Sequence, residues 1–242
     1  MATTNSSAGT NVHEIADGIY RINTPVSLVP GGFSFNQYLV VDDQPLLFHT
    51  GPRKLFPLVR AAVDSVIPAS RLRFIALSHF EADECGSLNE WLAVAPQSVP
   101  LCSRVAAMVS VDDVADRPAL AMADGAMLDL GSRSVKWLDA PHLPHGWETG
   151  YLMESRTGTL FCGDLFTQGG VGAAALSRED ILDSSEAFRQ PMDYFSHSTH
   201  TRQLIEHLAA QSPGTLACMH GSAWSGDGAG LLRALGERLV PG

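Results

Sequence analysis

The stretch S-H-F-E-A-D-E-C-G, residues 78–86, follows a short apolar run that is typical of a buried strand. It places one histidine and three carboxylates close together in the chain: His79, Glu81, Asp83 and Glu84. Carboxylates this close repel one another unless cations lie among them, and a metal ion is the simplest such cation. The alternative is a solvated acidic turn with an incidental histidine, and this stretch alone leaves both interpretations open.

Other candidate ligands lie at the ends of later predicted strands. They are His142 and His145 in P-H-L-P-H-G, Asp164 at the end of L-F-C-G-D, and His220 between A-C-M and a glycine. Loops at strand ends often carry binding and catalytic residues. Together with the acidic stretch, these residues argue against a merely solvated turn and indicate a metal centre built from strand ends.

Strand-like and helix-like segments interleave along both halves of the chain. Strands are predicted over 18–23, 37–42, 45–49, 73–78, 99–102, 127–130, 135–139, 151–154, 159–162 and 215–219. Helices are predicted over 54–66, 86–95, 194–211 and 226–240. This alternation is typical of a layered α/β fold. A flexible tail is expected over residues 1–12, and a single domain over 13–242.

The composition excludes several classes of protein. With 45% apolar and 17% charged residues, the 242-residue chain is neither disordered nor fibrous. A net charge of −10 makes nucleic acid and anionic membranes poor partners, and no apolar run is long enough to predict a transmembrane helix. The four cysteines form no C-x-x-C pair, which argues against a zinc ribbon or a disulfide framework and fits a cytoplasmic protein.

The ordered set of motifs resembles the metallo-β-lactamase superfamily. The hydrolases of that superfamily carry H-x-H-x-D-H in the first loop, whereas Glu81 here replaces the second histidine. The resulting H-x-E-x-D form is similar to the flavodiiron proteins and to stand-alone oxygen-binding diiron proteins. Their pattern continues with a histidine, 18 residues, an aspartate and a last histidine. Here 18 residues separate His145 from Asp164, and 55 separate Asp164 from His220.

The resemblance implies a four-layer αβ/βα sandwich of the mixed α/β (α+β) class, with a dimetal site at one edge. The family's ligand positions fall on six residues: His79, Glu81 and His145 for one iron, Asp83 and His220 for the other, and Asp164 as the bridge. Glu84 occupies a position that is histidine in the family. Its carboxylate either binds the second metal or turns away, and the sequence favours neither. His142 and His49 are expected beside the site as groups that support the ligands.

Four carboxylates and three histidines form a hard donor set that suits two iron ions, with manganese or zinc as alternatives. The resemblance therefore implies a non-haem diiron protein that binds or reduces O2 or NO. The chain has no G-x-G-x-x-G fingerprint and no room for a flavodoxin domain after the resemblance ends, so electrons are expected from a separate reductase. The other hypotheses are a metal-dependent hydrolase of esters, thioesters or lactones, and a sensor with a degenerate metal site. A homodimer is a further expectation.

Overall fold

Two mixed β-sheets organise the computed structural model, which describes residues 3–5, 9–27 and 29–240. The first sheet has eight strands in chain order, antiparallel from the first to the fifth and parallel from the fifth to the eighth. These strands are β1 (Thr3–Asn5), β2 (Thr10–Ala16), β3 (Ile19–Val26), β4 (Phe33–Val40), β5 (Leu46–Phe48), β6 (Phe74–Ala76), β7 (Val99–Ser103) and β8 (Leu120–Met122).

The second sheet has seven strands from the later part of the chain. They are β9 (Met127–Asp129), β10 (Ser134–Asp139), β11 (Gly150–Glu154), β12 (Thr159–Phe161), β13 (Leu176–Ser177), β14 (Thr215–Ala217) and β15 (Ala223–Ser225). Their order across the sheet is β13-β15-β14-β12-β11-β10-β9, with β12 and β14 running parallel. Strands that run parallel end at the same edge, so the loops after β12 and β14 are neighbours.

The helices alternate with the strands and lie outside the sheets. They are α1 (Phe56–Asp64), α2 (Ala82–Cys85), α3 (Leu88–Val94), α4 (Arg104–Ala106), α5 (Asp112–Val114), α6 (Leu182–Met192), α7 (Thr201–Ala209) and α8 (Gly228–Leu239). A π-helical turn over Ala107–Val111 joins α4 to α5. None of the helices in the described ranges is long and apolar enough to cross a membrane.

Three buried apolar clusters define the layers. Phe48 of the first sheet and Trp137 and Phe161 of the second belong to the cluster between the two sheets. A second cluster packs the outer face of the first sheet against helices that include α1 and α3, and a third packs the second sheet against α6, α7 and α8. The order helix, sheet, sheet, helix confirms the four-layer αβ/βα sandwich.

The region after β13 differs from the sequence prediction. A single helix was expected over 194–211, but α7 begins only at Thr201, and α6 was not predicted at all. Asp193 and His197 have left-handed backbone conformations, with φ of 48° and 50°, and such residues end a right-handed helix. Segment 182–192 also contains Pro191 and several short polar residues, which weaken its helical pattern.

The amino-terminal boundary also differs. A tail was expected over residues 1–12, but β2 begins at Thr10 and pairs with β3, and Thr10 and Val12 are buried. The strand β1 pairs with β2 as well. Residues 1, 2 and 6–8 of the expected tail lie outside the described residues. The prediction of one domain over 13–242 stays a prediction.

Candidate metal centre

The candidate ligands converge because parallel strands end side by side. In the first sheet β5 and β6 are parallel, and His49 and His79 follow their carboxyl ends. In the second sheet Asp164 and His220 follow the parallel strands β12 and β14. The facing sheets bring these two edges together, and the loop after β10 adds His145 from the second sheet.

One group of atoms consists of two imidazoles and a carboxylate. The Nε2 atoms of His79 and His145 are 3.0 Å apart, and Glu81 Oε1 lies 3.0 Å from His145 Nε2. Asp164 Oδ2 approaches the same two nitrogens, at 3.5 Å from His79 and 3.7 Å from His145. Separations of about 3 Å are those expected between ligand atoms that are each about 2 Å from one metal ion.

A second group lies on the other side of Asp164. His220 Nε2 is 3.4 Å from Asp83 Oδ2 and 3.4 Å from Asp164 Oδ1. The two oxygens of Asp164 therefore face different groups: Oδ2 faces His79 and His145, and Oδ1 faces His220. A carboxylate that bridges two metal ions needs this arrangement.

Glu84 lies inside the ligand cluster, which is the set of His79, Glu81, Asp83, His145, Asp164 and His220. Its side chain is fully buried in α2, with Oε2 4.0 Å from His79 Nε2, and atoms of His79, Glu81 and Glu84 lie within 4.8 Å of one another. Burial, followed by the nearby Asp164 and Asp83 carboxylates, raises the pKa of Glu84 well above its usual range. The Glu84 side chain therefore points into the protein, toward His79.

The residues present fit a pair of cations. Asp164 Oδ1 and both carboxylate oxygens of Glu84 are buried without a hydrogen-bond partner among the described residues. Burying a polar atom without a partner costs free energy, and a metal ion would be the missing partner of these oxygens. Without a metal, the carboxylates draw a proton to His220: although burial opposes it, Asp164 and Asp83 raise the pKa of this histidine to about 10. The donors are oxygen and imidazole nitrogen, which suit iron or manganese.

Each cluster histidine is oriented through its other ring nitrogen. His220 Nδ1 donates to the Ser34 carbonyl at 2.9 Å, His145 Nδ1 to the Tyr194 carbonyl at 3.0 Å, and His79 Nδ1 to Ser78 Oγ at 2.9 Å. With Nδ1 protonated, Nε2 keeps its lone pair for a metal ion. The acceptors thus fix both the tautomer and the ring direction.

His49 supports His79 through a serine. Ser78 Oγ accepts from His79 Nδ1 and donates to His49 Nε2 at 2.9 Å, while His49 Nδ1 contacts Met219 Sδ at 2.9 Å. Burial, above all, lowers the pKa of His49 to about 3, so this ring stays neutral. His142, by contrast, is exposed, and no hydrogen bond or ion pair in the described part of the chain joins its ring to the cluster.

Buried polar side chains of the first sheet anchor the His220 loop. Arg21 Nη2 and Asn36 Nδ2 donate to the Gly221 carbonyl at 2.7 and 2.9 Å. Tyr38 donates its hydroxyl to the Cys218 carbonyl at 2.6 Å. These contacts satisfy carbonyls on both sides of His220, so the loop is held by β3 and β4 as well as by its own sheet.

Comparison with known proteins places the chain in a family. The family model described as ODP family beta lactamase matches residues 33–221, a span that includes every candidate ligand from His79 to His220. The chain belongs to the ODP beta-lactamase family.

Relatives of this ODP family member include proteins with redox names. Nitric oxide reductase from Moorella thermoacetica is 23% identical, over 91% of this chain and 59% of its own length. Rubredoxin-oxygen oxidoreductase from Megalodesulfovibrio gigas is 25% identical, over 83% of this chain and 51% of its own length. The flavodiiron protein from Giardia intestinalis has a TM-score of 0.79 at 19% identity, over 94% of this chain and 59% of that one. The shared fold is therefore the metallo-β-lactamase-like core of the flavodiiron proteins.

The chain matches only part of the length of these relatives. This ODP family member spans 59% of the length of the nitric oxide reductase, 51% of the rubredoxin-oxygen oxidoreductase, and 24% of a longer putative diflavin flavoprotein from Nostoc. Similarity of the core therefore establishes the fold and the family, and the activity of the whole relatives becomes a hypothesis for this chain.

Sequence reasoning missed several residues that hold the loops of the candidate ligands His79 and His145 in this ODP family member. Glu148, a buried carboxylate, accepts the Phe80 backbone N–H at 3.0 Å, and its own carbonyl accepts from Ser103 Oγ. The backbone carbonyl of Tyr194 accepts from His145 Nδ1. Neither role has a local sequence signal, because Glu148 lies 68 residues from Phe80 and a carbonyl acceptor depends on no side chain.

Proposed function

We propose that this ODP family member is a non-haem diiron protein that binds or reduces O2 or NO, with electrons supplied by a separate reductase. The observation that carries the proposal is the divided contact of Asp164, whose two oxygens face two separate groups of ligands. A single-metal site has no use for such a division. When bound, a pair of ferrous ions supplies electrons and open coordination positions.

The proposed ligand set follows from the two groups. His79, Glu81 and His145 would hold one iron, Asp83 and His220 the other, and Asp164 would lie between them. Glu84 completes the set as a seventh ligand. The four carboxylates of the set would supply four negative charges against the four positive charges of two divalent ions. Manganese and zinc are the competing ions, because selection in a cell also depends on supply.

The surroundings of the cluster differ on its two sides. Phe33 lies over the His220 ring, with centroids 4.3 Å apart, and stacks on Phe188 of α6 at 5.5 Å. This aromatic wall excludes water from the His220 side. On the opposite side, the Glu81 side chain is 50% exposed. A small molecule would therefore approach from the Glu81 side.

The relatives support the choice of a diatomic ligand. One is named for nitric oxide reduction and another for passing electrons between rubredoxin and oxygen. Since these names belong to longer proteins, O2, NO and the redox partner are proposals for this chain. A homodimer stays a prediction from the resemblance.

The test uses protein loaded anaerobically with Fe2+. A new near-ultraviolet or visible absorption band is expected after O2 or NO is added. After the protein is chemically reduced, a second addition of the same gas should produce the band again. Asp164→Ala should abolish the band, whereas Asp116→Ala, a change at an exposed aspartate far from the cluster in sequence, should leave it intact. An iron-loaded protein that responds to neither gas would overturn the proposal.

A cavity favours one second candidate, a metal-dependent hydrolase. A space of about 460 Å³ opens beside Glu81 and is lined largely by apolar groups that include Phe80, Cys85 and Leu88. That volume could accept an organic substrate. Zinc-loaded protein should be assayed with an ester and a thioester. Hydrolysis that needs Glu81, together with no response of the iron form to O2 or NO, would favour the hydrolase.

A further inference from the structure

Glu84 is unlike Glu154, the other fully buried glutamate among the described residues. Glu154 is equally inaccessible, but its oxygens accept the backbone N–H groups of Arg156 at 2.7 Å and Thr157 at 2.8 Å. Glu84 has no such donor on either oxygen among the described residues. A buried carboxylate without donors is costly, so its partner must be a cation or a proton.

The position of Glu84 favours a metal as that partner. The Glu84 Oε2 atom is 4.0 Å from His79 Nε2, and its carboxylate is near that of Asp83, the preceding residue in the chain. Asp83 in turn contacts His220. Glu84 therefore borders both groups of ligands.

The backbone around Glu84 is fixed independently of the cluster. The Glu84 carbonyl accepts the Thr50 N–H at 2.8 Å, and the Asp83 carbonyl accepts the Gly51 N–H at 3.1 Å. Ser87 Oγ adds hydrogen bonds to the carbonyls of Thr50 and Gly51, both at 2.9 Å. This anchoring keeps the side chain pointed into the cluster without help from its own carboxylate.

A carboxylate and an imidazole at this position select different ions. Carboxylate oxygen is a hard, charged donor that suits Mn2+, whereas imidazole nitrogen favours Zn2+. We propose that Glu84 is a metal ligand that shifts the selectivity of the centre toward Mn2+ and away from Zn2+, relative to the histidine expected there. Fe2+ still binds more tightly than Mn2+ in the general order of affinities, so this inference is compatible with an iron pair. It rests on the dimetal centre of the proposed function.

Metal titration of the chelator-treated protein tests the inference without any activity assay. Mn2+ binding is followed by loss of the free-ion electron paramagnetic resonance signal, and Zn2+ binding by competition with a chromophoric chelator. Glu84→Gln keeps the shape and removes the charge, and it should weaken Mn2+ binding by about tenfold or more, with a smaller effect on Zn2+. Glu84→His should raise the preference for Zn2+ over Mn2+ by about tenfold or more.

The control and the outcomes separate this inference from the proposed function. Glu179→Gln, at an exposed glutamate, should change neither affinity. Unchanged affinities for both ions in folded Glu84→Gln would overturn the inference, since Glu84 would then hold a proton instead of a metal. If selectivity depends on Glu84 but the iron form ignores O2 and NO, the proposed function fails and this inference stands. If the iron form responds to O2 or NO but Glu84→Gln changes neither metal affinity, this inference fails and the proposed function stands.

Discussion

Asp164 is the residue on which the proposed centre depends most. Its carboxylate is almost inaccessible, and contacts with three histidines hold its pKa well below the usual range against the effect of burial. One oxygen serves each group of ligands. The aspartate is thus the only described side chain with its two oxygens directed separately at His79 and His220.

Replacing Asp164 by alanine should lower metal content at both positions, because each loses an oxygen ligand. Elemental analysis of anaerobically reconstituted Asp164→Ala, compared with wild type and with Asp116→Ala, gives the number of ions per chain. Circular dichroism shows whether the variant is folded. An unchanged stoichiometry in folded protein would contradict the bridging role.

Ser78 allows a test of the contacts behind the ligands. Ser78→Ala removes the acceptor for His79 Nδ1 and the donor to His49 Nε2. Loss of such a supporting hydrogen bond should weaken metal binding by about 10- to 100-fold, measured by chelator competition. Ser196→Ala, at an exposed serine, is the matched control. Equal affinities in the two variants would show that Ser78 does not orient His79.

At the scale of residues, the sequence predicted the candidate ligands but not the hydrogen-bond acceptors that orient them. His79, Glu81, Asp83 and Glu84 stand together in the chain, and their chemistry can be read directly. The acceptors for the histidines are backbone carbonyls of distant residues, for example Ser34, which lies 186 positions from His220. Such a contact leaves no trace in residue type, so only the folded chain reveals it.

At the scale of elements, α7 and α8 cover the second sheet through a close approach. Ile205 of α7 is buried in the third apolar cluster, and a Cβ added to Gly236 of α8 would lie 3.2 Å from its Cγ2. The absence of a side chain at Gly236 thus lets the two helices pack closely. This packing holds the outer helical layer against the sheet that contains β14, the strand before His220.

Truncating Ile205 should therefore lower the free energy of unfolding. Ile205→Ala is expected to cost about 2–5 kcal/mol, because it removes buried contacts and leaves a cavity. Gln203→Ala, at an exposed position of the same helix, should stay within about 0.5 kcal/mol of wild type. Urea unfolding measures both. Similar values for the two variants would mean that α7 contributes little to the core.

Helical periodicity predicted some elements and failed for others. The apolar spacing of 54–66 and 226–240 corresponds to α1 and α8. The same periodicity started α7 several residues too early, because the left-handed backbone of residues such as His197 cannot be recognised from hydrophobicity. It also missed α6, whose residues are mostly polar and whose few buried side chains include Leu182 and Glu186.

At the scale of the whole molecule, the layered fold was predictable from interleaved strands and helices together with the resemblance. What the sequence could not give is the depth of the site between the sheets. Glu84 and Asp164 are buried together there, with three of their four oxygens unpaired among the described residues. Their repulsion destabilises the folded chain unless a cation or a proton is bound.

Metal binding should therefore stabilise the whole fold. Adding Fe2+ anaerobically at 100 times its dissociation constant should raise the free energy of unfolding by about 2.7 kcal/mol for one site, and a chelator should reverse the gain. Thermal unfolding with and without the ion measures the effect. An unfolding temperature that ignores both iron and chelator would mean that the folded chain does not bind the ion.

The most direct measurement is the iron content of the protein after anaerobic reconstitution with Fe2+ and removal of free metal. The divided contact of Asp164 predicts about two irons per chain, since each of its oxygens faces a separate group of ligands. One iron per chain would contradict the pair of irons, and none would contradict an iron centre at this site.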